Sequence, residues 1–348
     1  MNRKVITSLD VAKLAHVSQS AVSRAFTPGA SVAPETRERI LNAADELGYR
    51  PNAIARAMIS GRSKLIALLV SYMENQYYPV IVDRISRRLK AEGYGVLLLI
   101  PDPCRQDNHV AEMMQYQVDG LIVASSSVSE SVVQNCADCG VPVVSFNRIL
   151  PSSPAISVCS DNVAGGRMVA DLLIKSGCQR ISYIAGTETS SAILDRERGF
   201  NRGMAAHGKV VFGRTVLGDR RAPAKSAARA LFDREEIPDA VFVANDHMAI
   251  AVMDVLRDEL QLRIPQDVSI VGFDDVPEAS LSAYNLTTVS QNVVAIVDSI
   301  LEILLHQIDS QEITEIAKIV PVRLVARGTV KLASVNPDYS VHYNIRKK

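Results

Sequence analysis

Eight short apolar runs that alternate with amphipathic stretches constrain the fold of this chain more than any other feature. From residue 65 onward the runs are LIALLV, GVLLLI, GLIVA, VPVVSF, AISVCS, RISYIAG, AVFVAN and VSIVGF. Strands that are apolar on both faces and separated by helical stretches predict βαβ units, with parallel sheets covered by helices. Because eight strands exceed one modest sheet, the sequence predicts a body of two lobes.

The first fifty residues lack such runs and have the spacing of short helices. Thr7 and Ser18 are placed to cap two successive helices, with Asp10 as the capping-box partner of Thr7 and a turn at His16 between the helices. In the second helix, VSQSAVSRAF, apolar residues fall on one side and polar residues on the other. The polar side consists of Gln19, Ser20, Ser23 and Arg24. Two helices around a tight turn predict a helix-turn-helix.

A third helix is predicted from Pro34 to Leu47, because proline suits a first helical turn and Gly48 suits a helix end. Charge also separates this region from the rest of the chain. Residues 1–62 contain nine lysines or arginines against five acidic residues, although the whole chain has a net charge of zero. A basic head on an acidic body suits a polyanion that is bound at one end.

Composition disfavours several classes of protein. The chain is 47% hydrophobic and 22% charged, which is ordinary for a soluble globular protein. No apolar run approaches the length of a membrane span and residues 1–10 lack a signal-peptide hydrophobic region, so we expect a cytoplasmic protein. Five scattered cysteines predict no disulfide framework. Cys136 and Cys139 form a CxxC without a second pair; we expect packed helix thiols, with no metal and no cofactor.

Longer motifs recur throughout the chain in a fixed order. The head carries LDVAKLAHVSQSAVSRAF and VAPETRERILNAADELGYRPNAIARAM. The body carries PVVSFNR, DNVAGGRMVADLLIKSG, RISYIAG, RERGF, VFVANDHMAIAVM, DVSIVGFDD and LTTVSQN. From about Thr7 to Arg327 the chain resembles the lac repressor-type (LacI/GalR) family of bacterial transcription regulators. The resemblance implies a small all-α helix-turn-helix head and an α/β body of two lobes with periplasmic-binding-protein-like parallel sheets, joined by three crossings.

The resemblance implies a sequence-specific DNA-binding regulator, a repressor, whose operator affinity is switched by a small, sugar-like effector between the lobes. In the family the second helix lies in the major groove, where the positions of Gln19 and Ser20 choose the sequence and that of Arg24 reaches a base edge. Glutamine suits adenine and arginine suits guanine. Thr7 and Ser18 suit phosphate contacts. The expected DNA-binding residues of the head are Thr7, Ser18, Gln19, Ser20, Ser23 and Arg24.

The segment Asn52–Met58 matches the hinge helix of the family. There, paired hinge helices of two subunits enter the minor groove and wedge an apolar side chain, usually leucine, between base pairs. Met58 stands at that place here, and Ala55 is small enough for close approach. Asn52, Ala55 and Met58 therefore complete the expected DNA contacts. The alternative is a linker whose apolar residues pack against the body.

Polar residues stand mainly where predicted strands give way to loops, which is where ligands bind in this architecture. The family holds its effector at these places. A carboxylate and a guanidinium each grip two adjacent hydroxyls, and a tyrosine stacks on a sugar face. The alternative for each residue is a solvated side chain or a helix cap. The expected effector-binding residues are Tyr77, Tyr78, Ser125, Asn147, Arg196, Asn245, Asp274 and Gln291.

The chain departs from the family pattern at three positions. His16 stands where glycine usually takes a left-handed backbone conformation, which histidine tolerates better than most residues. Ala33 stands where serine usually caps the third helix, a loss of about 1 kcal/mol. Asn147 stands where the family often has aspartate.

Two other functions fit parts of the sequence. The body alone suits a solute-binding protein, but that class requires export and has no use for a helix-turn-helix. Phe273–Asp275 offers a carboxylate pair to an enzyme, but neighbouring strand residues face opposite sides and no nucleophile triad, P-loop or GxGxxG is present, so we expect no enzyme and no catalytic residue. The tail lacks leucine heptads, which favours a homodimer. The predicted divisions are a helix-turn-helix domain (1–50), a hinge helix and linker (51–63), an effector-binding and dimerisation body (64–328) and a C-terminal tail (329–348).

Overall fold

The chain forms two compact units, Met1–Lys64 and Leu65–Lys348. The computed structural model describes residues 6–27, 29–51, 61–70, 73–100, 113–124, 130–149, 155–216, 221–310 and 317–331. No helix among these residues is long and apolar enough to cross a membrane.

The described part of the first unit is helical. Its helices are α1 (Ser8–Leu14), α2 (Gln19–Ala25) and α3 (Pro34–Leu47). Gly48 ends α3 with a φ of +65°, a left-handed conformation that glycine adopts without strain. Small and branched apolar residues fill the space between the helices: Val11, Ala12, Ala15, Val22, Ala25, Ile40, Ala43 and Ala44. The predicted helix-turn-helix and the predicted bounds of the third helix are confirmed.

The second unit contains two parallel sheets. The first sheet has the order β11-β5-β4-β3-β1-β2 and the second has the order β7-β6-β8-β9. The first comprises β1 (Leu65–Val70), β2 (Gly95–Leu99), β3 (Gly120–Ala124), β4 (Val143–Phe146), β5 (Ile156–Ser160) and β11 (Ala317–Val320). The second comprises β6 (Ile181–Ala185), β7 (Arg214–Val216), β8 (Ala240–Val243) and β9 (Ser269–Val271). We call the layers around these sheets lobe 1 and lobe 2.

Amphipathic helices connect the strands, as parallel pairing requires. They are α4 (Tyr77–Ala91), α5 (Glu130–Asp138), α6 (Asn162–Lys175), α7 (Ser191–Ala206), α8 (Arg221–Phe232), α9 (Asp246–Asp254) and α10 (Val293–Ser310). A π-helical stretch (Val255–Glu259) continues from α9, and a 3-10 turn (Pro277–Ser280) follows β9.

The chain passes between the two sheets three times. The first crossing follows β5, the second contains β10 (Thr288–Gln291), and the third contains β12 (Val322–Val325). Strands β10 and β12 pair antiparallel, with Ser290 opposite Arg323. The predicted α/β body of two lobes with three crossings is therefore confirmed, and the crossings bring residues of both lobes to one cleft.

All eight apolar runs form strands, but four further strands, β7, β10, β11 and β12, are not predicted from the sequence. Each of these four has only three or four residues and carries polar or charged side chains, so no continuous apolar run marks it. The expectation of two packed cysteines is half wrong. Cys136 is buried in α5, whereas Cys139 is exposed just beyond the end of that helix, where no core covers it.

Candidate DNA-contacting helix and effector cleft

Helix α2 presents its polar side to solvent. Gln19, Ser20, Ser23 and Arg24 are exposed, while Val22 and Ala25 are buried. Ser18 caps the helix by accepting a hydrogen bond from the backbone N–H of Ala21 at 3.2 Å. The amide of Gln19 donates to the hydroxyl of Ser8 at 2.9 Å, a bond that ties the start of α2 to α1. The three side chains expected to contact bases, Gln19, Ser20 and Arg24, thus lie with Ser23 on one accessible surface.

His16 lies in the turn between α1 and α2, and Thr7 lies at the start of α1. His16 adopts a φ of +54°, which confirms that a residue other than glycine takes the left-handed position here. Before α1, the backbone N–H and the hydroxyl of Thr7 both donate to the carboxylate of Asp10, at 2.9 and 2.7 Å. Thr7 is therefore held at the exposed N-terminus of α1, where backbone amides favour an anion.

One arginine that the sequence analysis did not single out fixes the loop after α2. Arg37 of α3 donates to the carbonyl oxygens of Ala25 and Ala30, the latter at 2.9 Å. These two bonds fasten the end of α2 to α3. The N-cap Ala33 makes no side-chain bond, as its alanine side chain requires. The expected hinge residues Asn52, Ala55 and Met58 lie outside the described residues.

A buried ion pair forms the centre of the cleft in the second unit. The guanidinium of Arg196 lies 3.2 Å from the carboxylate of Asp274, and both side chains are 3% exposed. Gln291 donates to the same carboxylate oxygen at 2.7 Å, and Asn75 lies 3.5 Å from the other oxygen. Asp274 belongs to lobe 2, Gln291 to the second crossing and Asn75 to lobe 1, so this one carboxylate joins all three.

Arg196 is held rigidly by its own lobe. It donates to the side-chain oxygen of Asn162 at 2.9 Å and to the carbonyl of Ala244 at 2.6 Å, and its guanidinium lies 3.8 Å from the centre of the Phe273 ring. Helices α6 and α7 touch through their backbones here. A Cβ at Gly166 would lie 2.0 Å from the carbonyl oxygen of Arg196, so only glycine permits this approach.

The loop that carries Asp274 has an unusual backbone. Asp274 has a φ of +124° and Asp275 a φ of +60°, conformations that L residues rarely adopt. Asp275 is paired with Arg327 at 2.5 Å, and the N–H of Asp274 donates to the carbonyl of Val289 in the second crossing at 2.9 Å. Backbone strain of this kind persists only where the surroundings enforce it, and it is common at ligand sites.

Two buried polar atoms in the cleft have no hydrogen-bond partner in the described part of the chain. They are the hydroxyl of Tyr77 and the side-chain oxygen of Asn147, whose φ is +56°. Burial, and then the nearby charge of Asp274, raise the pKa of Tyr77 well above its ordinary value. The hydroxyl therefore stays protonated and can donate. Unpaired buried polar atoms cost free energy, and a ligand that pairs with them recovers it.

These groups surround a small cavity, which we call the inner cavity, with a free volume of about 40 Å³. Six of the eight predicted effector-binding residues line it. Gln291 does not line the cavity but is hydrogen-bonded to Asp274, which does. Ser125 lies outside the described residues. The residues that line it include Asn75, Tyr77, Tyr78, Asn147, Arg148, Ser190, Arg196, Asn245 and Asp274. Asn245 also caps α9, accepting from the N–H of Met248 at 2.9 Å.

Family models and relatives decide the identity of the chain. The model "Bacterial regulatory proteins, lacI family" matches residues 7–52, and the model "Periplasmic binding protein-like domain" matches residues 170–330. The HTH-type transcriptional repressor PurR of Vibrio vulnificus (strain CMCP6) is 30% identical over 332 residues, which cover 93% of this chain and 98% of PurR. The chain belongs to the lacI family of bacterial regulatory proteins.

Solved structures of lacI-family regulators share this fold. The lac repressor dimer bound to operator and the anti-inducer ONPF matches with a TM-score of 0.84 and 26% identity, covering 95% of this chain and 100% of that one. The CelR–cellobiose complex matches with a TM-score of 0.70 and 28% identity, covering 93% and 99%. The predicted fold class and the predicted role as a DNA-binding transcription regulator are confirmed.

One fully buried carboxyl beside the cleft of this lacI-family regulator is not predicted from its sequence. Asp246, the first residue of α9, accepts hydrogen bonds from the hydroxyl of Thr288 at 2.6 Å and from the N–H of Val276 at 3.0 Å. Desolvation, and then the charge of Asp274, raise its pKa to about 7. The motif VFVANDHMAIAVM contained the residue, but nothing in its spacing distinguishes this aspartate from an ordinary first-turn residue.

Proposed function

We propose that this lacI-family regulator is a repressor that binds operator DNA as a homodimer, and that a polyhydroxylated, sugar-like molecule in the cleft switches its operator affinity. The observation that carries the proposal is the buried cluster at the carboxyl ends of the strands. There Arg196 and Asp274 are paired, and Tyr77 and Asn147 each have a polar atom without a partner among the residues that the structure describes. Such atoms suit the alternating donors and acceptors of a sugar.

The DNA-binding part of the proposal rests on the exposed polar side of α2. Gln19 and Arg24 carry the donors that distinguish adenine and guanine in the major groove, and each good pair contributes about 1–3 kcal/mol of discrimination. Thr7 and Ser18, at the N-termini of α1 and α2, suit phosphates. For Asn52, Ala55 and Met58 the support is the match to the family's hinge helix. We infer that they contact the minor groove.

The proposal of a sugar-like effector rests on the cleft described above and on the proteins to which this chain is related. Cellobiose, held by CelR, is a disaccharide. The eight residues predicted from the sequence, including Ser125, are proposed as the effector contacts. Because the inner cavity has only about 40 Å³ of free volume, the lobes must part to admit a sugar ring. An effector that binds one lobe arrangement better than another shifts the population of arrangements, and this shift is the proposed switch.

Assembly and cellular role follow from the same proposal. The lac repressor is a dimer on its operator, and we infer a homodimer here, with the predicted divisions at 1–50, 51–63, 64–328 and 329–348. A protein that binds operator DNA acts in the bacterial cytoplasm. Its relatives are transcription regulators, which supports a role in binding rather than catalysis.

The test combines selection of an operator with a screen for the effector. Random duplex DNA is selected on the full chain, and thermal shifts are then measured with sugars, sugar acids and nucleobases. We expect a near-palindromic site, with an affinity that falls steeply with salt, and one ligand class that shifts the melting temperature. If no duplex is preferred in any ligand condition, the proposal is wrong.

A further inference from the structure

A second and larger cavity adjoins the inner cavity. It has a free volume of about 600 Å³, and Tyr77 and Asp274 line both cavities, so these two side chains form the partition between them. We call this space the outer chamber. Helix α4 of lobe 1, the loop after β9 in lobe 2 and the second and third crossings all contribute to its walls.

The walls of the outer chamber are mainly apolar. The aliphatic residues in them are Val80, Val276, Pro277, Val293, Val294, Pro321 and Val322, beside polar residues that include Ser290 and Asn292. Branched aliphatic side chains from four segments that are far apart in sequence thus converge on one space. An apolar group placed there gains binding free energy in proportion to the apolar surface that it removes from water.

The charged side chains in these walls leave one uncompensated cation. Asp274 is paired with Arg196 at 3.2 Å and Asp275 with Arg327 at 2.5 Å. The side chain of Arg323, on β12, is exposed and forms no ion pair with any residue in the described ranges. The chamber therefore has one unpaired guanidinium beside an apolar surface, a combination that suits a carboxylate, sulfonate or phosphate on an apolar group.

A second observation points to a ligand at the partition. The Tyr77 side chain is only 3% exposed, and its hydroxyl has no hydrogen-bond partner among the described residues. A molecule that spans both spaces supplies the missing acceptor. Without one, the site bears the cost of an unsatisfied buried hydroxyl.

We propose that the outer chamber is a ligand subsite for an apolar group with an anionic substituent, attached to an effector whose hydroxylated part lies in the inner cavity. This inference rests on the proposed function and narrows it: the effector is larger than a monosaccharide and is acidic. Because the chamber is bounded by both lobes and by the second and third crossings, an occupant contacts both lobes and two of the three segments that join them.

The test uses a probe that matches the chamber and does not depend on the effector. Binding of 8-anilinonaphthalene-1-sulfonate to the full chain is followed by fluorescence, with the uncharged dye N-phenyl-1-naphthylamine as the comparison. Val294→Asp adds a negative charge to the wall and Val294→Asn is its neutral, equally sized control. Val294 is 47% exposed, so neither variant disrupts the core. Arg323→Ala is paired with Arg84→Ala, an exposed arginine outside the chamber.

We expect Arg323→Ala and Val294→Asp to weaken binding of the sulfonate dye at least fivefold, and the uncharged dye by less than twofold. Val294→Asn and Arg84→Ala leave both affinities within twofold. Equal affinities in all variants, or equal losses for both dyes, overturn the proposal. The dye measurements test only the subsite, and the operator selection, which uses no dye, tests the repressor function. A failure of one proposal is therefore distinguished from a failure of the other.

Discussion

At the residue scale, the strongest constraint on the cleft is that Arg196 and Asp274 are both charged and both buried. We predict that Arg196→Ala lowers the free energy of unfolding by about 3–5 kcal/mol, because it leaves the carboxylate of Asp274 buried without a counter-charge. Urea unfolding followed by circular dichroism measures the loss. Arg198→Ala is the control, since Arg198 lies two positions along the same helix, is 55% exposed and pairs with Asp195 at 2.8 Å.

An exposed pair of this kind contributes less than about 1 kcal/mol, so the two variants should differ several-fold in their effect. Comparable losses in Arg196→Ala and Arg198→Ala would contradict the assignment of Arg196 to a buried pair.

Asp246 makes stability depend on pH. Its pKa of about 7 in the folded protein lies above the ordinary aspartate value of 3.8 that applies in the unfolded chain. Between these values the folded protein keeps a proton that the unfolded chain has lost, so the free energy of unfolding falls as the pH rises from about 4 to about 7. The total fall is about 4 kcal/mol. Asp274, whose pKa is also raised by burial, acts in the same direction.

We predict that Asp246→Asn removes the Asp246 part of this fall, which unfolding midpoints between pH 4.5 and pH 8 measure. Thr288→Val is the companion variant. It deletes a hydrogen bond that lowers the pKa of Asp246, so the fall should extend to higher pH. An unchanged pH profile in Asp246→Asn would show that another group carries the dependence.

Residue types at strand ends predict the members of the cleft, but not their partners. Asn147 and Asp274 were found because polar side chains that follow apolar runs are visible in the sequence, whereas Arg196 was found through the motif RERGF. Asn75, which is hydrogen-bonded to Asp274, and Asn162, which is hydrogen-bonded to Arg196, were not predicted. Their roles depend on how two lobes and two helices pack, and no short-range pattern encodes that packing.

At the element scale, the contact between α6 and α7 sets the position of Arg196. A Cβ at Gly199 would lie 2.0 Å from the carbonyl oxygen of Val163, a backbone atom that cannot rotate away. We predict that Gly199→Ala forces the helices apart and costs at least about 1–3 kcal/mol of stability. Thermal unfolding measures the cost. Asn201→Ala, on the exposed side of the same helix, should stay within about 0.5 kcal/mol of the wild type.

A Gly199→Ala variant that is as stable as Asn201→Ala would mean that the two helices tolerate a wider spacing, and that Arg196 is positioned by its hydrogen bonds alone.

The sequence predicts some strands of the body and not others. The eight apolar runs predict strands because burial on both faces leaves no polar residue to interrupt them. Strands β10 and β12 escape prediction because they are four residues long and pair with each other between the lobes, where Arg323 faces the solvent. The motif LTTVSQN contains β10 and was recognised only through its resemblance to the family. These two strands form because they pair with each other in the folded protein, and their own residue composition does not favour a strand strongly enough to predict one.

At the scale of the whole molecule, a switch implies that effector and operator bind reciprocally. If the effector changes operator affinity by some factor, the operator must change effector affinity by the same factor, because both paths lead to the same ternary complex. We predict that effector titrations with and without the selected operator differ by the factor that the effector imposes on operator binding. Isothermal titration calorimetry at fixed salt measures both, since operator affinity itself depends on salt.

Gln19→Ala provides the control for this linkage. It removes the proposed base contact of Gln19 and should weaken the selected operator by about 1–3 kcal/mol, with little effect on unrelated DNA. Its effector affinity without DNA should equal that of the wild type, because Gln19 belongs to the first unit and the cleft to the second. The coupling factor depends on the lobes and the crossings in this proposal. It should therefore be the same in Gln19→Ala as in the wild type, although operator affinity differs. A factor of one in both directions would contradict the switch, because the ligand would then bind without changing operator affinity.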